Sequence, residues 1–251
     1  MNLFDLTGKK AIVTGGAGGL GLGITEGLLE AGAEVAVVAR SAAADEAARA
    51  FCAKGYRCHA VRGDVSDAAS RKALFERAVA TLGGLDILVN NAGIQRRHPA
   101  EEFPLEDWQA VIDTNLTALF AMCQLAGQYF LKNGGGKIIN LASMLSFFGG
   151  YTVPAYAAAK GGVAQLTKAL SNEWAGRGIC VNAIAPGYMD TPMNVALVND
   201  PVRNDEILKR IPAKRWGTPA DMKGPAVFLA SNASDYLNGA VLPVDGGYLG
   251  R

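Results

Sequence analysis

The chain has 251 residues, of which half are hydrophobic and 19% charged, and 24 basic against 23 acidic side chains leave a formal net charge of +1. That apolar content fills a core and excludes disorder, while interleaved charges of both signs offer no field for nucleic acid or an anionic membrane. Cys52, Cys58, Cys123 and Cys180 form no CxxC pair and have no histidine cluster to join, so neither a metal site nor a thiol redox motif is expected.

Short β-branched runs alternate with longer helical patterns, which predicts repeated βαβ units and a parallel sheet. In chain order, a strand at 11–14 runs into a glycine-rich turn and a helix at 20–31, and a second strand at 34–39 follows. A helix at 43–54, a strand at 58–62, a helix at 68–82 closed by Gly83 and Gly84, and a fourth strand at 86–89 come next. Beyond them lie a long helix at 105–132, a strand at 137–141, a helix at 154–175 and a strand at 180–184. The stretch 187–214 has no sheet partner and contains Pro192, Pro201 and Pro212, so it reads as a mobile, partly helical lid. A helix at 220–230 and a strand at 240–244 complete seven strands in one doubly wound (Rossmann) α/β domain with helices on both faces.

Met1 to Lys10 carry charges and no signal-like apolar core, and no stretch reads as a membrane span. The expected compartment is the cytoplasm.

Thr14-Gly-Gly-Ala-Gly-Gly-Leu-Gly21 follows a strand and opens a helix. In that context Gly15, Gly19, Leu20 and Gly21 form a pyrophosphate cradle, because glycine lets the backbone approach a phosphate that the helix N-terminus stabilises. The second strand ends at Ala39 and Arg40, where a carboxylate would select NAD and a cation would bind the extra phosphate of NADP. Arg40 tips the expectation to NADP over NAD. Asp64 and Val65 fall where an adenine would lie, and Asn91, Ala92 and Gly93 where the cofactor would cross the fourth strand.

Tyr156 and Lys160 are four residues apart on an expected helix, so they share a face and the ammonium is expected to lower the phenol pKa. With Ser143 upstream, the set offers one group to protonate a carbonyl oxygen and another to stabilise it. Arg96 and Arg97 directly after the Asn-Asn-Ala-Gly turn, and Arg215 with Trp216 after the lid, are candidates for gripping a substrate carboxylate. Met144, next to Ser143, is a candidate wall of that pocket. His98 reads as polar surface.

These motifs, in this order, resemble the short-chain dehydrogenase/reductase family along the whole chain. The matching residues are Thr14 and Gly15 with Gly19 and Gly21, Asn90 to Gly93, Asn115, Ser143, Tyr156 with Lys160, Pro186 with Gly187, and Thr191. The resemblance implies that Tyr156 is the general acid/base, that Lys160 tunes it and binds the nicotinamide ribose, and that Ser143 steadies the substrate oxygen. Asn115 would support a relay water, and Pro186, Gly187, Met189 and Thr191 would meet the nicotinamide carboxamide. It also implies a homotetramer, in which residues 246–251 could reach a neighbouring site. Within the family the chain is similar to bacterial sugar-acid dehydrogenases acting on dehydrodeoxygluconate and deoxygluconate. A 3-oxoacyl thioester reductase, a general ketoreductase and a dinucleotide sensor without turnover are the other readings.

Overall fold

The structure is a computed structural model that describes residues 2–250, so Met1 and Arg251 of the two terminal readings lie outside the described residues. Seven strands form one parallel sheet: β1 (Lys10–Thr14), β2 (Glu34–Ala39), β3 (Cys58–Arg62), β4 (Ile87–Asn90), β5 (Gly136–Leu141), β6 (Ile179–Pro186) and β7 (Val241–Val244). Their order is β3-β2-β1-β4-β5-β6-β7. The central strands are continuously apolar because helices cover both faces. Successive β1 residues accordingly serve different cores, with Ile12 in one layer and Ala11 and Val13 in the other.

One layer packs under α3 (Arg71–Leu82), α5 (Ala118–Phe130) and α6 (Pro154–Trp174). The other lies under α1 (Gly19–Glu30), α2 (Ala43–Ala53) and α9 (Lys223–Ala230). Strand order reverses between β1 and β4, whose last residues Thr14 and Asn90 are register partners. The crevice beyond such a reversal is where open α/β sheets bind ligands. A buried polar chain supports it, in which the Asn90 amide donates to Asn140 Oδ1 at 3.0 Å and Asn140 donates to Thr167 Oγ1 at 3.1 Å.

Three features refine the expectation. The long helix is α4 (Leu105–Ile112) and α5 joined by a π-helical bulge, Asp113–Thr117. Its run Leu105–Phe130, which holds an 18-residue window of mean hydropathy 1.2, is long and apolar enough to cross a membrane by length and composition alone, where the sequence reading expected no such stretch. In this fold its apolar residues Ala118, Met122, Ala126 and Phe130 are spent on the core beneath the sheet. Finally, residues 187–214 hold α7 (Val195–Val198) and α8 (Pro201–Arg210), and α8 has its own small core. Ile207 and Ile211 are buried there with Met144 and Tyr248. Tyr248 therefore packs within its own chain, stacked 5.6 Å from Phe148 with the Arg210 guanidinium 4.8 Å from its ring.

Candidate active site

Two adjoining cavities open at the carboxyl ends of the strands. The larger, about 400 Å³, is lined by Gly15, Gly19 and Leu20, by Asn91, Ala92 and Gly93, by Ser143, Tyr156 and Lys160, and by Pro186, Gly187, Met189 and Thr191. The second, about 290 Å³, shares Gly15, Ala92 and Gly93 and extends to Arg40, Ser41, Asp64 and Val65. The whole set of dinucleotide candidates except Gly21 thus lines one continuous trough.

Gly21 acts from beneath. A Cβ there would stand 2.1 Å from the Gly15 carbonyl oxygen and 2.4 Å from Asn91 Nδ2, so only glycine lets α1 start against the turn. Gly15 itself has φ +64°, the left-handed region that glycine enters at no steric cost. Asn91 Nδ2 donates to the carbonyls of Thr14 and Gly15, both at 3.0 Å, while Thr14 Oγ1 accepts from the backbone of Asn91 at 3.0 Å and Ala92 at 3.1 Å. These bonds lock the two strand ends into a cradle whose shape fits a dinucleotide: bare backbone at a helix start, with a cation at the far end. That cation, Arg40, lies 3.7 Å from Asp64.

Ser143 lies two residues past the end of β5 as the cap of a 3-10 turn, Met144–Ser146, its hydroxyl accepts from Leu145 N at 3.1 Å, and it acts to lower the pKa of the Tyr156 phenol. Burial pushes that phenol up to about 12, against the pull of Ser143 and of the Arg97 charge. Burial likewise pushes the Lys160 ammonium down to about 8. The expected lowering of the phenol by Lys160 is therefore overturned, since burial raises it. Lys160 Nζ donates to the Leu141 carbonyl and stands 5.6 Å from the Tyr156 ring centroid, and burial is the largest cause of the shift at each group.

Ser146, which the sequence reading passed over, ties the two halves of this set together. Its hydroxyl accepts from Ser143 N at 3.3 Å and donates to the Lys160 carbonyl at 2.6 Å. The signal was present in the serine spacing of three across a strand end. Asn115 sits fully buried in the π bulge, and its amide exchanges two 2.8 Å hydrogen bonds with the Ile94 backbone. Its side chain fixes the segment after Gly93.

The four substrate candidates with polar heads separate clearly. Arg96 pairs with Asp107 at 3.1 Å, and Arg215 grips Asp221 with two bonds of 2.7 and 2.8 Å. Trp216 Nε1 donates to Asn204 Oδ1 at 2.7 Å, bracing α8, and its ring meets Tyr188 edge-on at 5.5 Å. Arg97 alone of the three arginines has no carboxylate partner among the described residues. Its guanidinium contacts the Gln95 side chain at 3.2 Å and stands near Tyr188 and Tyr156. Met144 is buried in the α8 core, so it shapes the site from behind.

A family model described as enoyl-(acyl carrier protein) reductase matches residues 15–249. The chain is 50% identical over 252 residues to a 2-dehydro-3-deoxy-D-gluconate 5-dehydrogenase of Dickeya dadantii, covering 100% of this chain and 99% of that protein. It is similar to the crystal structure of a putative NAD(P)-dependent gluconate 5-dehydrogenase from Beutenbergia cavernae with bound NADP, at TM-score 0.97 and 47% identity with both chains fully covered. A gluconate 5-dehydrogenase from Burkholderia cenocepacia, in complex with NADP and tartrate, gives TM-score 0.96 at 42% identity, covering 100% of this chain and 98% of that one.

Proposed function

This chain belongs to the short-chain dehydrogenase/reductase family, and from that membership we propose that it is an NAD(P)-dependent dehydrogenase of sugar acids. On this reading it interconverts a secondary alcohol and a ketone on a gluconate-type substrate, and the relatives acting on 2-dehydro-3-deoxy-D-gluconate and gluconate support that class. The observation that carries the substrate class is Arg97: a guanidinium without a carboxylate partner among the described residues, near enough to the reacting phenol for its charge to lower that group's pKa. Arginine binds carboxylates through paired charge-assisted hydrogen bonds, each worth about 1.5–3 kcal/mol.

When bound in the trough, the nicotinamide supplies the hydride. The chain's own groups manage the oxygen. Ser143 and Tyr156, which line the same cavity, present two hydroxyls to one carbonyl oxygen. Tyr156 holds its proton at neutral pH and releases it as negative charge builds on that oxygen. The phenolate so formed faces the Arg97 charge and the Lys160 ammonium. Residues 191–200 close over the cleft as the moving part of the lid, while α8 stays braced by Ile207, Ile211 and Trp216. Arg40 favours NADP by taking its extra phosphate. The cytoplasm and a homotetramer complete the reading.

The test is a turnover assay of 5-keto-D-gluconate with NADPH and NADH, in the protein as it stands and in Arg97→Ala. Reduction is expected, with KM raised about 10- to 100-fold by the substitution, the loss of one charge-assisted contact. Turnover of 3-oxoacyl thioesters in preference to keto sugar acids would instead favour the acyl reductase reading.

A further inference from the structure

The segment between Gly93 and Pro99 carries two arginines and a histidine in a row, and only the middle one has no carboxylate partner among the described residues. Arg96 Nε donates to Asp107 Oδ1 at 3.1 Å, and His98 Nε2 lies 2.7 Å from Asp107 Oδ2. One carboxylate therefore holds the residues on both sides of Arg97. Asp107 is in the first turn of α4, where the positive end of the helix also favours its charge. His98 is fixed further, edge-on to Phe103 at 5.2 Å and through its backbone N–H to the Thr152 carbonyl at 3.1 Å. Upstream, Asn115 grips both backbone groups of Ile94.

The base of this clamp is rigid relative to the chemistry. Val111 of α4 is buried in one cluster with Ala155 and Ala159 of α6, and Ile94, Phe103, Trp108 and Tyr156 pack against that cluster. Whatever holds the segment to α4 thus also fixes its distance to Tyr156.

We propose that Asp107 is a positioning residue that, by clamping Arg96 and His98, aims Arg97 at the substrate carboxylate and so sets the preference for acidic over neutral sugars. The proposal rests on Arg97 reading the carboxylate. It assigns work to Arg96 and His98 that neither performs by touching substrate. It also explains why adjacent arginines in the sequence have different fates.

The test compares 5-keto-D-gluconate with L-sorbose, its neutral counterpart bearing CH2OH in place of the carboxylate, each with NADPH. The readout is the ratio of kcat/KM for acid over neutral substrate. In Asp107→Asn that ratio should fall about tenfold, since small misplacements of a positioned group carry penalties of this order. Asp107→Glu should recover part of it, and NADPH affinity should not change. Asp107→Asn added to Arg97→Ala should lower the ratio no further than Arg97→Ala alone. An unchanged ratio in Asp107→Asn, equal losses on both substrates, or full additivity with Arg97→Ala overturns the inference while leaving Arg97 in place. A ratio unmoved by Arg97→Ala itself overturns the underlying reading, and the inference with it.

Discussion

Gly21→Ala adds one methyl group at the tightest point of the dinucleotide cradle. Its Cβ would stand 2.1 Å from the Gly15 carbonyl oxygen, 2.4 Å from Asn91 Nδ2 and 2.9 Å from the Gly15 carbonyl carbon. A nonbonded carbon needs about 3.5 Å, so the start of α1 and the turn must separate by roughly 1 Å. The atoms in the way are backbone and an amide that is itself committed, because Asn91 holds the Thr14 and Gly15 carbonyls at 3.0 Å each. Overpacking of this kind costs about 1–3 kcal/mol, and loosening the two Asn91 bonds about 1 kcal/mol each. The expected total of about 3–5 kcal/mol corresponds to a Tm drop of roughly 6–20 °C for a domain of this size. NADPH affinity should fall about 100-fold, since the amides that face the pyrophosphate move with the helix. A thermal melt and a fluorescence titration with NADPH measure both. Gly18→Ala is the control for the fold, because a Cβ at Gly18 meets nothing within 4 Å. A Gly21→Ala protein with Tm within about 2 °C and NADPH affinity within about threefold of the parent would show that the cradle is not built as described.

Arg40→Ala should cut the preference for NADPH over NADH about 10- to 100-fold, the worth of one charge-assisted contact, in paired titrations with the two cofactors; an unchanged ratio would remove Arg40 from phosphate recognition. Asp221 is held well below the usual carboxylate range, first by its hydrogen bonds from Arg215 and then by those from Thr218. A depressed folded-state pKa adds stability that is complete above about pH 4, the unfolded value, and fades as pH falls through the folded one. Asp221→Asn should therefore cost about 1 kcal/mol at pH 7, given that Arg215 is largely exposed, and the gap should shrink in urea melts at pH 2.5. A gap independent of pH would mean that the ion pair contributes nothing.

The sheet was legible because strands buried on both faces need uninterrupted apolar runs, and 34–39 and 58–62 fall where the pattern places them. The helix expected from residue 68 starts instead at Arg71, since Asp67 engages Ala69 N at 3.1 Å and the Ser70 hydroxyl at 2.5 Å and holds those residues in a turn. The π bulge left no sequence signal, because it depends on Asn115 meeting Ile94, 21 residues away in the chain. The same limit applies to the arginines. Residue type made Arg96, Arg97 and Arg215 equivalent, and only folding brings Asp107 to the first and Asp221 to the third. Tyr156 and Lys160 were found by spacing, but the direction of their pKa shifts follows from burial, which spacing does not report.

Tyr156→Phe removes the proton that the reduction requires and leaves the ring in place. NADPH should bind within about threefold of the parent affinity, and reduction of 5-keto-D-gluconate should fall at least about 1,000-fold, within the range for loss of a general acid. Turnover within about tenfold of the parent would contradict the assignment of Tyr156 as the proton donor.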